Sequence, residues 1–185
     1  MKKFTSLTAN RMHVFVLPLI ALLAALGGCA TPATHEGMVP VTIQSAKHHP
    51  QAVAIAVIGG KETSPTGKVQ ISDSEMKQAL TAAINQSKAF SRVVQGAGGD
   101  YLLTVNLFSM EQPSFGLSFT VKLETGWTLK RVDTGAVVWQ EAIKSEHTAT
   151  TSDAFAAVTR IRLATEGAAR NGIAQGLAKI SKLTL

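Results

Sequence analysis

Cysteine is nearly absent from this chain: one stands among 185 residues, at position 29. That excludes an intrachain disulfide framework, which needs pairs, and a cysteine-rich zinc site, which needs several thiolates. Aromatic residues make up only 5% and charged residues 16%, with one Tyr and two Trp. Beside an apolar share of 45%, so little charge is not the composition of a disordered chain, and the length suits one domain. The usual catalytic and nucleotide motifs are missing as well. Six residues separate Gly60 from Gly67 where a phosphate loop has four, and Val69 follows Lys68 where that loop needs Ser or Thr. Gly96 to Gly99 lies between an expected helix and an expected strand, the reverse of the order in a dinucleotide fingerprint. No G-x-S-x-G elbow occurs.

The amino terminus carries the most specific signal. Lys2, Lys3 and Arg11 are the only charges in residues 1–28, and an apolar run from Val14 to Leu26 follows them, broken only by Pro18. Such a run can enter a translocon but is short for a lasting ~20-residue membrane span, so it reads as a secretory leader. Leu26-Gly27-Gly28-Cys29 resembles the lipobox of bacterial lipoproteins. That resemblance implies lipidation of the Cys29 thiol and cleavage before it, with residues 1–28 discarded. The membrane is then the first partner, reached through the lipid on Cys29. Ala30 stands where lipoproteins retained in the inner membrane commonly carry Asp, which implies an outer-membrane protein facing the periplasm.

Losing the leader changes the charge balance. Three basic residues leave, so 18 Lys+Arg become 15 against 12 acidic residues, and the net charge falls from +6 to +3. The mature chain has no cluster of Lys and Arg interleaved with aromatics, so a nucleic-acid partner is not expected. From Cys29 to Gln51 no hydrophobic period is evident, and this stretch is expected to be a flexible, lipidated tether, with Val41 to Ile43 as a candidate edge strand. His35, His48 and His49 lie in it, but adjacent His48 and His49 on a strand face opposite ways and no nearby carboxylate or thiolate completes a tetrahedral set. Neither a metal nor a cofactor is expected.

Residues 52–185 are expected to form a single periplasmic domain. Ala52 to Ile58 is an unbroken apolar run, as in a strand buried on both faces. Ser72-Asp73-Ser74-Glu75 has the spacing of a capping box and opens a helix running to about Ala89. Three antiparallel strands follow: Tyr101 to Ser109; Leu117 to Lys130, whose alternation is the clearest in the chain; and Ala136 to Ser145, bringing Val137, Trp139 and Ile143 to the core. Thr151 to Asp153 offers a cap for a closing Ala-rich helix. In that helix Val158, Ile161, Ala164 and Ala168 share a side, while Ile173, Leu177 and Ile180 lie on a stripe rotated by about 100° at 3.6 residues per turn. A bend near Gly167 or Gly172 would reconcile the two.

The expected order is therefore β-α-β-β-β-α: an α+β two-layer sandwich with a mixed sheet of four to five strands and two helices on one face. With its AVAIAVI strand, the helix ending SKAFSRVV, the DYLLTVNL strand and the closing AARNGIAQGL, the domain resembles small envelope lipoproteins. These are the curli-secretion and penicillin-binding-protein-activator types, and the amino-terminal domain of the Tol propeller protein shares the architecture. The resemblance implies an assembly, secretion or activation factor without catalysis of its own.

Several residues are candidates for contacts. Lys122 and Glu124 lie on the open face of the sheet, where an envelope protein could dock or a glycan or lipid could bind. Phe115 either packs back on the sheet or forms an exposed tip that touches a partner. Arg162, Glu166 and Arg170, spaced i, i+4, form either a solvated ladder of ion pairs or a partner patch. Asp133-Thr134-Gly135 looks like the aspartic-protease tripeptide, yet it joins two amphipathic strands where Asp and Gly suit a tight turn, so a hydrolase is the weaker reading. The function expected is that of a non-enzymatic, lipid-anchored accessory or assembly component of an envelope complex. Homo-oligomerisation is left open.

Overall fold

The computed structural model describes residues 30–43, 47–96 and 98–185. Cys29 and the leader lie outside the described residues. The chain folds as an α+β two-layer sandwich. Its elements are α1 (His35–Met38), β1 (His49–Ile58), α2 (Asp73–Ser87), β2 (Phe90–Val94), β3 (Tyr101–Glu111), β4 (Phe119–Arg131), β5 (Val137–Ala149) and α3 (Ala157–Ile180). One sheet has the order β2-β1-β3-β4-β5. β1 runs parallel to both its neighbours, and β3, β4 and β5 form an antiparallel meander.

Local chemistry accounts for the elements. Ala52 to Ile55 are all buried in β1, as a strand between two parallel neighbours requires. Ser72 caps α2 by accepting from the Glu75 amide at 3.2 Å, and Lys88 closes it in the left-handed conformation. The odd residues of β4 from Phe119 to Leu129 are buried beneath the helices, and the even ones face the open side. β3 keeps this alternation only to Leu107. A bulge at Phe108 follows and reverses the parity, so that Met110 and not Ser109 turns to the core; Phe108 itself stays on the open face, where its ring covers Gly126 so closely that a Cβ there would lie 2.2 Å from it.

Four expectations are corrected. Phe90 to Val94, read only as the approach to a turn, is the parallel edge strand β2. The stretch expected as a free tether contributes α1 and the first residues of β1; Ala33 and Met38 are 1% and 0% exposed, and Val41 to Ile43 is not a strand. The helical layer therefore holds three helices, with α1 lodged between α2 and α3. α3 begins at Ala157 without a side-chain cap, because its capping position falls on Ala156, which has no side-chain acceptor, while the Asp153 carboxylate closes a turn onto the amide and hydroxyl of Thr150. At the start of β5 a register shift leaves Val137 exposed, so only Trp139 and Ile143 turn inward.

The two stripes expected on α3 belong to one broad buried face on a single continuous helix. Small residues make this face wide. A Cβ at Gly167 would strike the His147 ring, one at Gly172 would lie 2.9 Å from the Ser145 hydroxyl, and one at Gly176 would lie 2.6 Å from the Trp127 ring. Trp127 is 1% exposed and donates to the Thr125 hydroxyl at 2.9 Å, so its polar edge is satisfied in the core. Gly176→Val is expected to push α3 off this indole and destabilise the fold by about 1–3 kcal/mol. A lower urea midpoint and an altered near-ultraviolet dichroism band would register it; an unchanged midpoint would refute the close approach.

Candidate functional site

The amino-terminal strap is held by two carboxylates from opposite helices. Glu166, on α3, is 2% exposed and accepts from the Thr34 amide (3.0 Å), the Thr34 hydroxyl (3.2 Å) and the Arg162 guanidinium (2.9 Å). Glu75, on α2, accepts from the His35 amide at 2.6 Å and faces the His35 ring at 3.0 Å. Both therefore answer free N–H groups at the start of α1, as anions at a helix N-terminus do. Arg170 does not extend a ladder to Glu166; its guanidinium donates to the Gly37 carbonyl at 3.0 and 2.5 Å. The Arg162–Glu166–Arg170 row is thus an internal clamp on residues 34–37, and Glu166 has no surface to offer a partner.

Upstream of the clamp, the Ala30 amide donates to the Pro65 carbonyl at 3.0 Å and the Ala33 amide to the Gln70 carbonyl at 3.3 Å. The strap thereby lies along the domain from residue 30 onward. The three histidines expected in a tether have structural roles. His48 donates to the Lys88 carbonyl past the end of α2, and His49, 5% exposed, to the Ile180 carbonyl at the end of α3. His35 with Glu36 and Glu75 brings three ligand atoms within 4.8 Å, but the Glu75 oxygen facing the ring also receives the His35 amide.

On the open face, Lys122 lies opposite Glu146 and Glu124 opposite Lys144, the latter pair 3.7 Å apart and largely in solvent. The Glu124–Lys144 pair reaches across the strands, at a stabilisation of only ~0–1 kcal/mol. With Ser109 and Glu111 they line an open groove of about 620 Å³. Phe115, in the β3–β4 connection, is 88% exposed and does not pack back on the sheet.

Asp133 sits in the exposed β4–β5 turn, with Gly135 at φ +73° completing it. Arg131 grips its carboxylate at 3.0 and 2.7 Å, and the Thr134 amide adds a bond at 2.7 Å. The Arg131 hydrogen bond holds this carboxyl well below the usual aspartate range. Asp100 lines the same hollow, but its Oδ2 accepts from the Ala52 amide. A protease dyad holds two carboxylates against each other to share a proton, whereas the Asp133 oxygens are taken up by Arg131 and the Thr134 amide and Asp100 is turned to the Ala52 amide. The geometry is that of a turn.

Sequence reasoning could not find Thr34 and Glu75 as partners in the clamp, because neither pairing has a local spacing. Among the described residues no helix is long and apolar enough to cross a membrane.

No family model matches the chain, and no curated protein matches it in sequence. Solved structures do share its shape. A protein of Xanthomonas campestris assigned to the family DUF330 is 15% identical with a TM-score of 0.58, covering 76% of this chain and 90% of that one. A hypothetical protein of Chlamydia trachomatis is 10% identical at a TM-score of 0.50, over 73% of this chain and 98% of that one. The uncharacterised lipoprotein B of Nitrosomonas europaea is 12% identical at 0.46, over 76% and 88%. The likeness to the first two is one of fold alone.

Two measurements test the geometry. Glu166→Ala leaves the half-buried Thr34 amide without its acceptor, a loss expected to cost about 1–3 kcal/mol. Hydrogen exchange at Thr34 should then quicken while amides of β1 and β4 stay protected; an unchanged Thr34 rate would disprove the clamp. Separately, the Asp133 carboxyl should titrate below an ordinary aspartate by carbon NMR, and Arg131→Gln should move its midpoint up. Because the folded-state value is lowered, the pair stabilises the fold at neutral pH and loses that effect as the pH falls. A midpoint unmoved by Arg131→Gln would contradict the assignment.

Proposed function

We propose that this chain is a lipoprotein anchored through Cys29 in the outer membrane and facing the periplasm, where it serves as a non-enzymatic accessory or assembly component of an envelope complex. The observation that carries the reading is the docking of residues 30–37. The residue after the lipobox cysteine is already bonded to the domain, through the Ala30 amide and the Pro65 carbonyl. A lipid on Cys29 would then hold the folded domain at the membrane with hardly any slack. Each methylene of an acyl chain that enters the bilayer contributes about 0.8 kcal/mol, so two or three chains make the attachment lasting. An anchored domain with no catalytic constellation in its described residues acts by contact, and the open sheet face is the surface it would present.

Radioactive palmitate should label the wild-type protein in growing cells and fail to label Cys29→Ser. A photo-crosslinking residue at Phe108 or Lys122 should capture one reproducible envelope protein. Label retained on Cys29→Ser would overturn the anchor, and no crosslinked species from either position would overturn the accessory role.

A further inference from the structure

At the end of the sandwich where residue 30 emerges, apolar side chains are held out in solvent by backbone that is itself tied down. Phe155 is 97% exposed, Phe115 88% and Leu117 79%. They belong to the β5–α3 and β3–β4 connections, which the pairing of Phe119 with Ala149 brings side by side. Connections at a water-facing end are ordinarily polar, and clustered apolar exposure marks a surface meant to be covered.

Neither loop owes its exposure to slack. The Phe155 and Ala154 carbonyls accept from Arg160 at 2.5 and 3.0 Å, and Arg160 is 5% exposed with its guanidinium 5.4 Å from the centre of the buried Phe119 ring. Asp153 closes the preceding turn onto Thr150. Gly116 separates Phe115 from Leu117 at φ +146°, a conformation that side chains rarely adopt. Beside them, between the β1–α2 loop, the β3–β4 connection and the first turn of α3, lies a groove of about 480 Å³ whose wall is apolar at Ala30, Pro65, Phe119 and Val158 and polar at Lys68 and Gln112.

The position of Ala30 identifies the occupant. It lies in the wall of this groove, and successive Cα atoms are only about 3.8 Å apart, so an anchor carried on the residue before Ala30 would join the domain at this end. We propose that this end is a membrane-contacting face, with Phe115, Leu117 and Phe155 entering the interfacial layer of the phospholipid leaflet that receives the acyl chains of Cys29. The inference rests on the anchoring reading and deepens it. Lipid chains fix a point on the protein, and three side chains around that point fix an orientation, with the apolar end down and the Asp133 turn outward.

The test uses the full-length lipidated protein in vesicles of phosphatidylethanolamine and phosphatidylglycerol, with and without brominated acyl chains. Tryptophan introduced as Phe115→Trp or Phe155→Trp should lose emission to bromine relative to wild type, while Val137→Trp, at the opposite end of the sheet, should not. Unquenched emission at both 115 and 155 in protein that still floats with the vesicles would overturn the proposal; a second copy or a protein partner covering this end would give that result. The anchor is read independently by flotation. If Cys29→Ser floats as wild type does, the anchoring reading fails, and quenching at 115 and 155 still decides the face.

Discussion

A carboxylate shut away from water must be met by donors, and Glu166 draws its donors from both ends of the chain. Arg162 comes from one turn earlier on α3, whereas the amide and hydroxyl of Thr34 come from 132 residues away. Gly37 packs against the carboxylate with no room for a Cβ, and Arg170 takes the Gly37 carbonyl. Once these groups are paired, the strap has only one path. α1 fills the slot between α2 and α3, Met38 is sealed in the core, and Ala30 reaches Pro65. The point at which a lipid would join the domain therefore depends on a charge in the last helix, close to the other terminus.

The same helix explains how so few aromatic residues suffice for a core. Glycine inside a helix costs roughly 0.5–1 kcal/mol relative to alanine, a penalty α3 incurs at positions 167, 172 and 176. In return the helix axis comes close to the sheet, and Trp127, Ser145 and His147 fill the space the missing Cβ atoms leave. Close packing of small groups restores the dispersion contacts that larger side chains would otherwise supply. A helix seated this near the sheet also brings Glu166 under the strap, so the glycine seam and the carboxylate clamp support each other.

What could be read from the sequence was local. β1 is an unbroken apolar run, Ser72 caps α2 by a spacing of three, and β4 alternates over thirteen residues, so each element carries its own pattern. The strap has none: among residues 30–43 only Ala33, Met38 and Pro40 are buried, too few to set a period. β2 is five residues long and lies on an edge, where exposed Ser91 and Arg92 in succession break the alternation. On α3 a broad face of alanine and glycine looks like two narrow stripes, because sequence shows where large apolar residues stand and not how near the sheet the helix rides. The ladder of Arg162, Glu166 and Arg170 was legible as spacing, yet its partners were not, since Thr34 and Gly37 are far away in sequence. Phe115 was legible as a loop residue, and only the fold sets it beside Phe155 and Ala30.

An orientation with Phe115 and Phe155 toward lipid also constrains where a protein partner can bind. The helical face is closed by the strap, and the apolar end would in that orientation be taken up by lipid. The open sheet face remains, but its charges are of limited use: Glu124 already pairs with Lys144, and Lys122 and Glu146 are placed opposite each other as charges of opposite sign, so the face offers a partner little net charge. Unmatched surface lies elsewhere on the same face, where Phe108 covers Gly126 and Ile58 stands 49% exposed. Apolar side chains there lose water on contact without giving up any bond, so the recognition surface should centre on Phe108, with the charged ladder setting register around it.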